Sequence, residues 1–238
     1  MPSVSGARDD IRALLDPASP ADALAGHYAL HHPANRAEVF VHPASGAPAR
    51  GFLVRARTGA DLFRPLVTLR APNEAAAQDL FERGLPPNRP VLLVVPEDYA
   101  GWATRHLQMT DIALARIYRL DPARFEPIVN VLVVASRYSD GLPRYEIRSG
   151  SAGAVAVAGL NWRSPRFAEV YVYVDPAVRG RGFGRSVVSA LAADLLRDGL
   201  QVLYVVDQTN DASIRTAEGA GFADTGFRQF TGQAVWVA

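Results

Sequence analysis

AEVYVYVDPAVRGRGFGRS occupies residues 168–186. It opens as an alternation, with Val170, Val172 and Val174 set against Glu169, Tyr171 and Tyr173. A period of two built from β-branched and aromatic residues predicts a strand. Asp175-Pro176 ends it. Arg179, Gly180, Arg181, Gly182, Phe183, Gly184, Arg185 and Ser186 follow, and Val187, Val188, Leu191 and Leu195 then recur at helical spacing. A glycine-rich turn thus joins a strand to the N-terminus of a helix. Such a turn suits an anion. The first N–H groups of a helix lack intrahelical acceptors, and the helix dipole favours negative charge there. Glycines allow close backbone approach, and arginines add charge-assisted donors. A phosphate site is one reading; a tight turn with its arginines in water is the other.

The flanking chain alternates strands and helices. Before the turn, Tyr145 to Ser149 and Ala154 to Trp162 read as an antiparallel pair joined by a Gly/Ser turn at 150–153. The apolar run Val129 to Ala135 reads as a further strand. After the turn come a helix to about Arg197, stopped by Gly199, and a buried strand from Gln201 to Val206. A short helix capped by Asn210 and Asp211 and two closing strands, Phe222 to Phe230 and Ala234 to Val237, finish the chain. In the first half, residues 1–7 read as disordered and Arg8 to Leu15 as a helix. Ser19-Pro20 starts another helix running to His31. Strands are expected over Glu38 to His42, Gly51 to Thr58, Pro65 to Arg70, Pro90 to Val95 and Ile112 to Arg119. Helices are expected over Glu74 to Arg83 and Tyr99 to Leu107.

The two halves show the same order of elements: paired strands, a third strand ended by proline, a helix, an apolar strand, a short helix and another strand. VTLRAPNEAAAQDLFERG parallels VYVDPAVRGRGFGRSVVSALAADLLRDG, and VLLVVPED parallels VLYVVDQT. This predicts an α/β protein of two related domains, 1–124 and 125–238. The first copy has Asn73-Glu74-Ala75 where the second has the glycine–arginine loop. It places an acid where an anion would bind.

Composition removes several chemistries. The 238 residues contain neither cysteine nor lysine. Disulfides, thiolate nucleophiles, cysteine metal sites and Schiff-base catalysis are excluded. His27, His31 and His32 cluster but lack a third ligand nearby, so no metal is expected. Net charge is +1, and arginines balance carboxylates in both halves, fourteen against thirteen and eleven against eleven. No nucleic-acid partner is expected. There is no leader-like apolar region and no run near about 18 apolar residues, so neither a membrane span nor membrane association is expected. The cytoplasm is the expected compartment, and the arginine- and alanine-rich, lysine-free composition suggests a bacterial genome.

The turn can now be compared with known phosphate loops. A Walker loop needs a lysine. A dinucleotide fingerprint needs a third glycine where Arg185 stands. Arg179-x-x-Gly182-x-Gly184 instead resembles the R/Q-x-x-G-x-G/A signature of the GNAT superfamily of N-acetyltransferases. Residues 210–222, NDASIRTAEGAGF, resemble that superfamily's N-x-x-[A/S]-…-G-F segment. The resemblance covers roughly the last 100 residues. It implies a mixed-sheet GNAT fold, tandem if the first half is a degenerate GNAT-like copy. It implies acetyl-CoA as co-substrate, with the pyrophosphate on the loop from Arg179 to Ser186. The pantetheine arm would run along the backbone of Val172, Tyr173 and Val174, near Asn210 and Ser213.

The implied reaction is direct attack of an amine on the acetyl thioester, by an N-acyltransferase whose amine acceptor the sequence does not name. Monomer and homodimer are both compatible. Many members carry a tyrosine seven residues after the asparagine to protonate the leaving thiolate, and this chain has Ala217. Glu169, Tyr171 and Ser213 are the catalytic candidates, with Thr216 and Tyr173 as further hydroxyl sources and Asp207 as a further base. Glu169 could equally pair with Arg163 or Arg166 on a strand surface. The alternative to an enzyme is a non-catalytic acyl-CoA-binding or regulatory module.

Overall fold

The computed structural model describes residues 4–44, 47–59, 61–128, 130–138, 141–150 and 153–237. The chain divides into two compact units, Met1–Ala115 with Phe227–Ala238, and Arg116–Gly226.

The first unit contains helices α1 (Val4–Arg12) and α2 (Pro20–Gly26), then strands β1 (Ala37–His42), β2 (Gly51–Ala56) and β3 (Leu66–Arg70). Helix α3 (Glu74–Gly84), strand β4 (Pro90–Pro96) and helix α4 (Ala100–His106) follow. Strand β5 (Gln108–Leu120) begins in this unit and ends in the second. Strands β1, β2 and β3 pair antiparallel in order. Strand β3 then crosses through α3 to the parallel β4, with Leu66 opposite Leu92 and Val67 opposite Leu93. The second part of β11 (Phe222–Val235) pairs antiparallel with β4, from Gln229 opposite Pro96 to Val235 opposite Pro90. The core gathers Leu53, Val67, Leu69, Leu80, Phe81 and Leu93, all essentially unexposed.

The second unit holds β6 (Val134–Arg137), β7 (Pro143–Arg148), β8 (Ala154–Arg163), β9 (Phe167–Val174), helix α5 (Phe183–Arg197), β10 (Gln201–Asp207) and helix α6 (Asp211–Gly219). Strands β6 to β9 form an antiparallel meander. Strand β9 crosses through α5 to the parallel β10. Apolar side chains of α5 (Val187, Val188, Leu191 and Leu195) are buried with Ala156, Ala158, Ala168 and Val170. Each such side chain contributes about 1.5–3 kcal/mol on burial. That packing, more than intrinsic helix propensity, holds α5 in place.

Several sequence expectations change. The helix expected from Arg8 begins earlier, at Val4, where disorder was expected. The run Val129 to Ala135 is not a strand along its length: Val129 lies outside the described residues, and the strand is Val134–Arg137. Val131 and Val133 pack on the core from an irregular segment, so the apolar run reflects burial without strand pairing. The two closing strands are one, β11. Gly232 is not a break. A Cβ there would lie 2.9 Å from Met109 Cε and 3.0 Å from the Thr110 carbonyl, so glycine permits a close approach to β5. Ser19 and Pro20 open α2 as expected, with the Ser19 side chain accepting from the Ala21 N–H. Ser151 and Ala152 of the expected Gly/Ser turn lie outside the described residues.

Candidate cofactor and acyl-transfer site

The strand at the centre of the opening stretch is β9. After it, Pro176–Val178 makes one 3₁₀ turn, capped by the Asp175 carboxylate, which accepts from the Ala177 N–H. The chain then passes through Gly180 (φ 79°) and Gly182 (φ 76°), both left-handed. An L side chain is strained there, and this is why the turn is built from glycine. Gly182 is the N-cap of α5, and no side chain caps that end. With glycine at the cap position, the lack of a side-chain cap costs about a few tenths of a kcal/mol, less than one buried leucine returns. The sequence therefore leaves the first N–H groups of α5 open without losing the helix.

Close packing fixes the same end. A Cβ at Gly184 would lie 3.2 Å from Val174 Cγ2 and 3.4 Å from Thr216 Cγ2. Glycine thus lets α5 approach both β9 and α6. The Arg179 Nε–H donates to the Val174 carbonyl at 3.2 Å. Arg181 and Arg185 make no side-chain hydrogen bond or ion pair among the described residues. Phe183 packs partly on the core, while Ser186 is buried and its Oγ accepts from the Asn130 N–H at 3.4 Å.

Beside the loop the sheet opens. Strand β9 pairs with β10 only from Phe167 opposite Gln201 to Val170 opposite Tyr204. Both strands continue, β9 to Val174 and β10 to Asp207, without further pairing to each other. Among the described residues, the β10-facing main-chain groups of β9 from Val172 onward have no partner on β10. Exposed N–H and C=O groups of this kind bind an extended ligand as an extra strand would. The half-buried Val172 and Val174 pack on the core.

The alternate positions of β9 carry polar groups. Glu169 is buried; its carboxylate oxygens accept from Asn161 Nδ2 at 2.6 Å and Trp162 Nε1 at 2.9 Å. Burial raises its pKa, and those two donors oppose the rise. The expected pairing with Arg163 or Arg166 does not form; Arg163 pairs with Asp198. Asn161 sits where the β8 register shifts between Leu160 and Trp162, and this irregularity brings both donors to one carboxylate. Tyr171 lies opposite Gly159, and its ring occupies the space a Cβ there would need. Its hydroxyl hydrogen-bonds to the Tyr138 hydroxyl, which also accepts from Arg144. Tyr173 is 54% exposed.

On α6, Asn210 Oδ1 accepts from the Ser213 N–H and caps the helix. Ser213 Oγ is 2.8 Å from the Tyr204 hydroxyl. Burial raises the Tyr204 pKa, and the serine bond opposes that. Asp207 holds Thr209 through its side chain and backbone, both of which lower its pKa; it is a turn-former. Thr216 Oγ1 donates to the Ala212 carbonyl within the helix.

Two residues were missed from sequence. Tyr204 reads there as one more member of a buried strand. Its position, six residues before Asn210 on the strand that leads into α6, was the available signal. Asn130 was absorbed into an apolar run; its Nδ2 lies 4.0 Å from where a Gly182 Cβ would be. Among the described residues no group of three or more His, Cys, Asp or Glu could hold a metal ion. Among the described residues no helix is long and apolar enough to cross a membrane.

Comparison with known proteins bears on this geometry. The FR47-like protein family matches residues 152–232, which span β8, the loop, α5, β10 and α6. A mycothiol acetyltransferase of Thermobispora bispora is 48% identical over 56 residues, 23% of this chain and 19% of that protein. The match thus spans about a fifth of the relative's length. A GNAT-family protein of Novosphingobium aromaticivorans superposes with a TM-score of 0.59 at 20% identity, covering 82% of this chain and 91% of that one. A tandem GNAT protein from the clavulanic acid biosynthesis pathway superposes with a TM-score of 0.59 at 14% identity, covering 98% of this chain and 94% of that one. At such identities these likenesses speak for the fold. The protein has the GNAT fold of those structures, and residues 152–232 match the FR47-like protein family.

Proposed function

We propose that this protein is an acetyl-CoA-dependent N-acetyltransferase. The observation that carries the proposal is the uncapped N-terminus of α5 beside a sheet that opens at Val170 and Tyr204. The pyrophosphate of acetyl-CoA would be held by the N–H groups from Gly180 to Arg185, next to Ser186, with Arg179, Arg181 and Arg185 adding charge. The pantetheine arm would pair with the backbone of β9 from Val172 to Val174 and pass the start of α6 at Asn210 and Ser213. The FR47-like match and the acetyltransferase name of the relative support the acetyl group as cargo. The N-terminal unit is proposed as a degenerate GNAT-like copy without a cofactor.

The chemistry needs an oxyanion donor, a base and an acid. A backbone N–H of β9 in the opening serves the oxyanion. Glu169 is proposed as the base, because burial raises its affinity for a proton. Tyr171 follows it at the next alternate position. Attack of the neutral amine on the thioester carbon forms the amide and expels the thiolate of coenzyme A. The Ser213–Tyr204 hydroxyl pair is proposed to return a proton to that thiolate in place of a tyrosine at Ala217. The amine acceptor is left open, since the match covers so little of the relative. A bacterial cytoplasm, where acetyl-CoA and small amines meet, is the compartment the proposal implies.

The test is release of free thiol from acetyl-CoA in the presence of an amine panel, alongside calorimetric titration with coenzyme A. Binding with amine-dependent thiol release is expected. Tight binding without turnover on any amine would return the alternative, a non-catalytic acyl-CoA-binding module.

A further inference from the structure

The first unit contains a second basic site, remote in sequence from the glycine loop. A groove of about 850 Å³ is lined by Arg36, Arg55, Arg57, Arg64 and Arg89, with Glu38 and Asp61 as the carboxylates. Five arginines against two carboxylates give the lining a formal +3, whereas the whole chain carries +1. Two of the five are committed. Arg55 binds Glu38 and the Gly84 carbonyl, and Arg64 binds Asp61 and Gln233. Arg36, Arg57 and Arg89 are exposed, and their guanidinium groups have no hydrogen bond or ion pair among the described residues.

The three unpaired groups stand on a fixed frame. The Arg57 N–H donates to the Arg36 carbonyl at 2.8 Å, so these two residues are tied through the backbone. Arg89 follows Asn88, whose left-handed φ of 56° and N–H bond to the Trp236 carbonyl set the turn. Like charges held together repel, and an anion with several charges removes that cost. Guanidinium groups suit phosphate in particular, by paired parallel donors. The rim adds an apolar element. Asp61 accepts from the Phe63 and Arg64 N–H groups, and this turn presents Leu62 at 87% and Phe63 at 91% exposure.

We infer that this groove binds a phosphate polyanion through Arg36, Arg57 and Arg89. A soluble polyphosphorylated molecule and a phospholipid headgroup share that chemistry, and the Leu62–Phe63 tip distinguishes them. The inference does not depend on the acetyltransferase proposal.

The probe is inorganic tripolyphosphate, titrated calorimetrically into the full chain saturated with coenzyme A, which occupies the glycine loop if that loop binds it. Saturable binding is expected, weakened about tenfold or more in the triple variant Arg36→Gln, Arg57→Gln, Arg89→Gln. The variant's melting temperature and its coenzyme A affinity should match the parent's, since all three side chains are exposed and unpaired. Sedimentation with phosphatidylglycerol vesicles, against phosphatidylcholine vesicles, forms the second arm. Pelleting that needs both the arginines and Leu62–Phe63, tested with Leu62→Ser, Phe63→Ser, assigns the headgroup. Tripolyphosphate binding without pelleting assigns a soluble ligand. Equal tripolyphosphate affinity in parent and triple variant, or no binding of either probe, overturns the inference.

Discussion

Helices α3 and α5 each follow a strand that a proline closes, and each crosses to a parallel strand. Their first turns are opposites. At α3, Asn73 Oδ1 accepts from the Ala76 N–H at 2.9 Å, and Glu74 occupies the first helical position. Two donors hold Glu74: Arg105 by two bonds of 2.7 Å and His106 at 3.0 Å. The helix end that could receive an anion is capped by the protein's own Asn73 amide and carries the acid Glu74 in its first turn. At α5 the cap is a left-handed glycine, no side chain serves the N–H groups, and Arg181 and Arg185 are unpaired among the described residues. The same crossover thus becomes a satisfied structural end in one unit and an open anion end in the other. A few residues decide which, since both helices are held chiefly by their apolar faces.

The largest expected effect comes from closing the open end. Gly182→Val forces a β-branched residue to a φ of 76° and puts a side chain where the ligand would lie. Coenzyme A affinity, read by titration calorimetry, should fall about 100-fold or more, equivalent to losing two charge-assisted hydrogen bonds. The counterpart change, Asn73→Ala, removes the cap of α3. It should cost about 1 kcal/mol of stability in denaturant unfolding and leave coenzyme A affinity unchanged. A loss of coenzyme A binding in the Asn73 variant would defeat the contrast between the two ends.

Next in size is the proposed base. Glu169→Gln keeps an oxygen for Trp162 and removes the charge. If Glu169 takes the amine proton, kcat should fall about 100-fold, with coenzyme A affinity retained. The parent's rate should rise with pH through the raised pKa of this carboxyl, since only the carboxylate accepts a proton. A variant with parent-like kcat and pH profile would reduce Glu169 to a buried anchor for β8. Tyr204→Phe should do less. It removes the hydroxyl that bonds Ser213 while keeping the ring against Phe222, at 5.6 Å between centroids. About a tenfold fall in kcat, without a change in KM for acetyl-CoA, is expected if the pair protonates the thiolate. A substrate with a more acidic leaving thiol should narrow that gap, which a packing role would not predict.

How legible these features were follows from the physics behind each. The strand, loop and helix at 168–197 announce themselves because each is local: alternation, glycines and helical spacing all lie within one stretch. The Asn73 cap is equally local. Glu169 was legible as a candidate, but its partners were not. Asn161 and Trp162 reach it through a register shift in β8, and arginines nearby in sequence made an ion pair look natural. Tyr204 was hidden because a tyrosine in an apolar strand carries no mark of where its hydroxyl goes. Asn130 was hidden because an irregular segment that buries valines reads like a strand. Of the opening between β9 and β10 only the pantetheine path along Val172, Tyr173 and Val174 came from the resemblance, since both strands look continuous in sequence; only their pairing ends.

The smallest expected effect tests whether α3 is held as a structural element. Asp79 accepts from Arg83 Nε at 2.8 Å and Nη2 at 2.5 Å and lies 2.6 Å from His42 Nδ1 on β1. Arg83 chiefly, with His42, pulls its carboxyl from the ordinary 3.8 to about 2, against the opposing effect of burial. A depressed carboxyl stabilises the fold at any pH above its unfolded value and ceases to as pH falls through its folded value. The contribution is therefore nearly complete above about pH 4 and is lost as pH falls through about 2. The side chain is 36% exposed, so solvent screens much of the interaction and the effect should stay below about 1 kcal/mol. In thermal melts, Asp79→Asn should lie below the parent at pH 5, and the gap should close as pH drops toward 2. The α5 end offers no counterpart, because its arginines have no carboxylate to lose. A gap that stayed constant across that range would mean that Asp79 acts through packing and that charge pairing does not hold α3 to β1.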